Sequence, residues 1–322
     1  MRKVLFEVPA LGLRLPSFGV ALLLACLAAL YLTAWRARRE RIHPDAVSDL
    51  AVWLMSGGFI GARLLYLVAH PESVHGVADV FRLWQGGIVF YGCILGGLFG
   101  SLLYWYRHPF PFRAMADAVA PALAIGSAVG RLGCFLNGCC FGAVCESRWA
   151  LTFPAGSLPW ARHVQDGLIT PADAHSLPVH PTQLYSALDG LIILALLTAY
   201  YPRRRRDGEV MALLMVTYPV SRFLIESLRD DEPALLAGLT MSQWISVGVF
   251  VGGLVVWAYL STRPPGRHAD PAGRGAGTGD QGVLGAEARA GLPSQRDQGG
   301  RASPFISSER LSRDDPSRIS VS

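Results

Sequence analysis

Three arginines stand inside apolar stretches of this chain, and the residues around them are those that bind and move charge. Tyr218, Arg222 and Glu226 follow one another at i, i+4 and i+8, so on a helix they share one face. Arg131 sits in Gly130-Arg131-Leu132-Gly133-Cys134-Phe135-Leu136-Asn137-Gly138-Cys139-Cys140-Phe141-Gly142, at the end of an apolar run from Ala114 to Phe135. Arg63 follows a glycine-rich apolar run. An arginine at the centre of a membrane helix costs about 2.5–3.5 kcal/mol, so such residues are functional by default and call for a partner or an anion. The Arg222–Glu226 pair alone could be an internal ion pair that makes two buried charges tolerable. With no further carboxylate read inside the bundle, however, the three guanidinium groups leave a surplus of positive charge. Phosphate answers it: planar guanidinium forks match its oxygens, and the bilayer surface is paved with phosphodiesters.

A bilayer is where the composition puts them. Of 322 residues 51% are hydrophobic and 16% charged, with a mean hydropathy of +0.33, too apolar for an ordinary soluble domain. The net charge of +5 lies in short arginine clusters beside apolar runs, as orientation signals and headgroup contacts do, so membrane lipids and no nucleic acid are the expected partners.

Seven apolar windows, about 17–35, 48–69, 87–106, 114–135, 182–201, 209–228 and 240–261, predict an all-α integral membrane bundle of seven transmembrane helices. Basic clusters at Arg36–Arg41, Arg107–Arg113, Arg203–Arg206 and Arg263–Arg267 fall on one side if the N-terminus is outside and the C-terminus cytoplasmic. The start resembles a signal peptide, but its apolar run continues to a basic stop-transfer cluster, as an anchored helix does. The expected organisation is a membrane domain over 1–262, with the stretch 143–181 outside, and a disordered cytoplasmic tail over 263–322, rich in Gly, Arg, Ser and Asp. Glycines at fourfold spacing (Gly92, Gly96, Gly100; Gly126, Gly130; Gly248, Gly252) predict close helix packing.

At about 1.5 Å per residue, Arg63 lies roughly 22 Å, Arg131 about 25 Å and Arg222 about 20 Å from the cytoplasmic ends of their helices. Tyr91 is about one turn inside the outer end of the third window, and His180, Gln183 and Tyr185 open the fifth from the same side. Polar groups from five helices thus gather at one depth. Singly, His180 could cap a helix or sit among headgroups, and Asn137 and Gln183 are equally open. The C-x4-C-C-x4-C spacing from Cys134 to Cys145 matches no usual zinc pattern, so neither metal nor cofactor is expected. An oxidising outer space favours a disulfide of Cys139 or Cys140 with Cys145.

Together these motifs resemble the prolipoprotein diacylglyceryl transferases. Gly57-Gly58-Phe59-Ile60-Gly61-Ala62-Arg63 looks like the family's second helix and Gly86-Gly87-Ile88-Val89-Phe90-Tyr91-Gly92 like the start of its third. The segment Gly130 to Gly142 matches its signature at Arg131, Asn137 and Gly142. His180-Pro181-Thr182-Gln183-Leu184-Tyr185 is similar to its histidine box, and Tyr218 to Glu226 and Leu239 to Trp244 to its sixth and seventh helices. The chain departs from the pattern at Tyr91, usually histidine, at Cys134, usually asparagine, at Cys139, usually acidic, and at Phe18, usually tyrosine.

The resemblance implies an enzyme of the bacterial cytoplasmic (inner) membrane. It would transfer diacylglyceryl from phosphatidylglycerol to the lipobox cysteine of a prolipoprotein, forming a thioether and releasing glycerol phosphate. Arg131, Arg222, Glu226, His180 and Tyr91 are the expected catalytic residues; Arg63, Asn137, Gly142, Gln183, Tyr185 and Tyr218 are expected to bind substrate. A relative that keeps the phospholipid pocket with altered or lost chemistry, and a small-anion transporter, are the competing readings.

Overall fold

All seven apolar windows form helices in the computed structural model, which describes residues 4–8, 13–71, 89–108, 110–229 and 235–269. They are α1 (Ser17–Arg39), α2 (Pro44–Ala69), α3 (Phe90–Arg107), α4 (Phe112–Asn137), α6 (Thr182–Tyr200), α7 (Glu209–Glu226) and α8 (Met241–Ser261). Two elements were not anticipated. A short antiparallel pair, β1 (Val4–Val8) and β2 (Leu13–Pro16), leads into α1, so the all-α reading holds for the bundle and not for the segment before it. A helix α5 (Leu158–Gln165) lies within the stretch 143–181. Five helices are long and apolar enough to cross a membrane: α1, α2, α4, α6 with the turn after it, and α8. Helices α3 and α7, with 18 residues each, lie at the short end of the roughly 17–25 residues that spans use and are not among those five. Gly86, Gly87 and Ile88, and all of the expected tail beyond residue 269, lie outside the described residues.

Packing is organised around α4. Helix α1 lies along it, α6 and α7 pack on its other side, α8 packs on α7, and α2 and α3 form a pair that meets the rest mainly through α1. Of the three glycine series, only the first is a close packing face: a Cβ on Gly96 would strike the carbonyl of Gly57, and one on Gly92 would come 2.9 Å from Ala62 Cα. Gly130 and Gly248 have open space where a Cβ would go. On α8 the close approach falls at Gly253, where a Cβ would lie 2.8 Å from Met215 Cβ and 3.0 Å from Met215 O. Pro219, four residues on, has no N–H for that carbonyl, so the helix is open at the point where α8 comes closest.

The bundle has two polar ends with an apolar middle. Ala120, Ala124, Ile193, Leu197, Val210 and Leu214 form the buried cluster between them. At one end Arg204, 2% exposed, reaches Glu40 Oε2 at 2.6 Å and Asp117 Oδ2 at 3.2 Å. Asp117 also accepts from the N–H groups of Gly208 (2.8 Å), Val210 (2.9 Å) and Met211 (3.0 Å), capping α7 from outside its own chain segment. The run Arg203–Arg206, read in the sequence as exposed topology charges, is therefore partly structural. The bundle also holds carboxylates other than Glu226: Asp117 is fully buried and Asp189 half-buried.

Candidate active site

The opposite end gathers the remaining polar groups. Gly190 of α6 faces Ala124 and Ala128 of α4, and Ser221 of α7 donates to Asp189 of α6 at 2.8 Å. From those registers, at about 1.5 Å per residue, Arg131, Gln183, Arg222 and Glu226 lie within about two turns of one level. Val89 N–H donates to Ala62 O at 3.2 Å, which brings Tyr91 and Arg63 side by side on the α2–α3 pair at the same end. Gly133 of α4 lies against Ala21 of α1, a turn from Phe18. Arg131, Gln183, Arg222 and Glu226 thus share a level, whereas Arg63 and Tyr91 belong to a different pair of helices.

The local construction follows from the end of α4. Gly138, at φ 76°, closes the helix, and the N–H groups of Gly138 and Cys139 return to Cys134 O at 2.9 and 3.1 Å. The chain then passes through a three-way junction. Gly142 N–H donates to His180 O at 2.9 Å, Ala143 N–H to Leu228 O at 2.9 Å, and His180 N–H to Ala143 O at 3.0 Å. Only glycine fits there, since a Cβ would stand 2.7 Å from both His180 Cβ and Leu228 O and 2.8 Å from Thr182 Cγ2. Gly142 thus joins the ends of α4, α6 and α7. Thr182 Oγ1 donates to Cys140 O at 2.7 Å and Gln183 Nε2 to Cys139 O at 2.8 Å, orienting the first turn of α6.

Arg222 is held from two sides. It pairs with Glu226, and its other terminal nitrogen donates to Ser242 Oγ at 3.3 Å. Glu226, 2% exposed, also faces Arg229 Nη1 at 3.7 Å and accepts from Thr240 Oγ1 at 3.5 Å. Thr240 and Gln243 cap α8 reciprocally, at 3.3 and 3.0 Å, and Gln243 reaches Ser227 Oγ at 3.3 Å. The sequence reading did not single out Arg229, although it follows Arg222 by seven residues and so falls on its face; it lies just past the helix end, where periodicity stops being a guide. Ser242, Thr240 and Gln243 were visible only as part of a motif.

Arg131 differs. It is half-buried, and among the described residues no hydrogen bond or ion pair engages it. Two further polar atoms nearby are buried without a hydrogen-bond partner: Gln183 Oε1, on a residue 0% exposed, and His180 Nδ1. His180 does not cap α6, whose N-cap is Pro181; its ring lies 6.2 Å from that of Tyr185. Tyr218 packs against the apolar cluster, and Asn137 is the last residue of α4. Between α7 and α8 runs an apolar groove of about 220 Å³ lined by Pro219, Val220, Phe223, Leu224, Ser246 and neighbours.

The stretch 143–181 folds over this end. Phe153, 1% exposed, is its core, and Leu151 pairs with Val179 and Pro154 with His175. Trp160 donates to Asp173 O at 2.7 Å, and Thr170 holds the Asp173 carboxylate below its usual value by two hydrogen bonds. Burial pushes the His163 imidazole below its ordinary value, against the opposing pull of Asp166, and its Nδ1 accepts from Leu177 N–H at 3.2 Å. All six cysteines are free, so the expected bond from Cys139 or Cys140 to Cys145 is not formed. The Cys134 thiol, not Cys145, is the neighbour of those two.

The sequence matches the family described as prolipoprotein diacylglyceryl transferase over residues 3–259. It is 30% identical over 258 residues to phosphatidylglycerol–prolipoprotein diacylglyceryl transferase 2 of Clostridium perfringens, covering 80% of this chain and 94% of that one. It is 34% identical over 252 residues to the transferase of Acaryochloris marina, covering 76% and 87%. With the transferase of Trichormus variabilis it shares 32% over 276 residues, covering 81% and 91%. The signature arginine, the glycine junction and the paired arginine–glutamate of the closing helices are thus carried by a chain that belongs to the prolipoprotein diacylglyceryl transferase family.

Proposed function

We propose that this protein transfers the diacylglyceryl group of phosphatidylglycerol to the lipobox cysteine of prolipoproteins, and that it does so where α4, α6, α7 and α8 meet. The observation that carries this placement is Arg131, a half-buried guanidinium without a protein partner among the described residues, level with the unpartnered Gln183 Oε1. A half-buried cation left free among polar groups suits an anionic headgroup.

In the reaction the cysteine sulfur bonds to the glyceryl carbon, the bond from that carbon to the phosphate ester oxygen breaks, and glycerol phosphate leaves with the electron pair. Arg131 and Arg222 stabilise the charge arriving on the phosphate. Glu226 is engaged by Arg222, Arg229 and Thr240, which suits orientation rather than proton transfer. The thiol proton then falls to His180, whose buried Nδ1 has no partner. Tyr91, a phenol of reference pKa about 10, positions substrate. Gln183, Asn137, Tyr185, Tyr218 and Arg63 line the headgroup, and the α7–α8 groove receives an acyl chain. In this reading the bundle crosses the bacterial inner membrane seven times, N-terminus outside, with 143–181 as a periplasmic cover and 263–322 as a cytoplasmic tail.

An anion transporter would need polar groups through the middle. The cluster from Ala120 to Leu214 between the two polar ends argues against one, as does the ion pairing of Arg204 at the far end. Expression in cells depleted of their own diacylglyceryl transferase tests the enzyme reading: growth and lipid-modified lipoprotein are expected, whereas a folded, membrane-inserted protein that restores neither contradicts it.

A further inference from the structure

The end of α4 brings three thiols together for a reason of backbone geometry. In a helix ending of this kind, closed by a left-handed glycine, the side chains four positions before and one after that glycine come into contact, a place usually taken by apolar residues. Here those residues are Cys134 and Cys139, with Gly138 at φ 76° between them. The next residue, Cys140, is itself at φ 59°, a conformation uncommon for a side chain with Cβ. The sulfur atoms of Cys134, Cys139 and Cys140 all lie within 4.8 Å of one another. A tetrahedral zinc–thiolate centre has metal–sulfur bonds of about 2.3 Å, which sets its sulfurs about 3.8 Å apart. Side-chain rotation closes that difference.

We propose that Cys134, Cys139 and Cys140 form a binding site for one thiophilic d10 cation of the zinc class, with the fourth position open. Each thiol loses its proton to solvent as its sulfur–metal bond forms. A cavity of about 270 Å³ borders Cys139 and Cys140 and is lined also by Phe141, Leu158, Arg162 and His163, giving the ion an entry path and a place for water as the fourth ligand. The sequence spacing hides the site because two ligands come from an α-helical ending rather than from a Cys-x-x-Cys loop. The carbonyls of Cys139 and Cys140 are those that orient Gln183 and Thr182, so the ion sits directly behind the candidate headgroup site. Its binding does not depend on the chemistry proposed for that site.

The test uses the full chain in detergent with a non-thiol reductant. Titration with Co²⁺ is expected to give a thiolate-to-cobalt charge-transfer band saturating at one equivalent and displaced by Zn²⁺. Loss of one ligand in Cys139→Ser or Cys140→Ser should weaken binding by at least about 100-fold, more than loss of a second-sphere partner does, while Cys145→Ser binds as the parent does. Independently of any variant, Zn²⁺ should shield Cys134, Cys139 and Cys140 of the parent protein from alkylation and leave Cys145 reactive. A missing charge-transfer band, an affinity untouched by the Cys139 and Cys140 changes, or equal alkylation of all four thiols with and without Zn²⁺ overturns the proposal.

Discussion

Arg131 and Arg222 bear like charges at one end of the bundle, yet the protein treats them differently. Arg222 has Glu226 and Ser242, so part of what it does is structural; Arg131 has only the solvent side of the candidate site. Replacing Glu226 with Gln leaves Arg222 and Arg229, 15% and 7% exposed in their side chains, without their carboxylate. Breaking a buried pair from one side costs about 3–5 kcal/mol. The expected outcome is a marked fall in unfolding temperature in detergent as well as in transfer rate. An unchanged melting temperature would remove Glu226 from its orienting role. This division was only half legible in the sequence. The i, i+4, i+8 spacing gave the Arg222–Glu226 pair, but the supposed surplus of charge rested on missing Asp189, which sits among apolar residues of α6 and is seen to matter only once Ser221 is found against it.

At the scale of elements, the junction at Gly142 ties three helix ends to one loop. Gly142→Ala forces a Cβ against backbone and side chain on three sides, an overpacking worth about 1–3 kcal/mol. Lower thermal stability together with a lower transfer rate is expected, and parent values for both would show that the junction is loose. The cover over 143–181 carries its own pH dependence. His163 has its folded pKa below the unfolded value of about 6.5, so it binds fewer protons folded than unfolded, and stability is complete above that pH and lost as pH falls below it. Protonation also removes the acceptor for Leu177 N–H. Limited proteolysis of the cover should therefore accelerate below about pH 6.5 in the parent and lose that step in His163→Gln. A step that survives the change assigns it elsewhere. Helix positions were readable because apolar run length alone fixes a membrane helix. The fold of the cover was not, since it rests on isolated strand bridges and on Phe153, with no periodic pattern to reveal them.

The whole molecule reads as a bundle fastened at the far end and open to ligand at the other. Asp117 is the fastener, since it caps α7 and receives Arg204 while Arg204 holds Glu40. Asp117→Ala strips three backbone N–H groups of their acceptor and leaves Arg204 with less compensation. A loss of about 3–5 kcal/mol is expected, seen as a lower melting temperature with the substrate KM of the surviving folded protein unchanged. A changed KM with a parent melting temperature would make the two ends coupled. In the sequence Arg204 counts among orientation charges, because a positive cluster after an apolar run looks the same whether its members face water or each other. The claim on which the functional account turns is that Arg131 is reserved for the headgroup phosphate. Its measurement is the rate of diacylglyceryl transfer from labelled phosphatidylglycerol to a lipobox peptide by Arg131→Ala, alongside its melting temperature. The account predicts a rate lower by about 10²–10³, as for removal of one oxyanion donor, at the parent's stability; a folded variant that transfers at the parent's rate contradicts it.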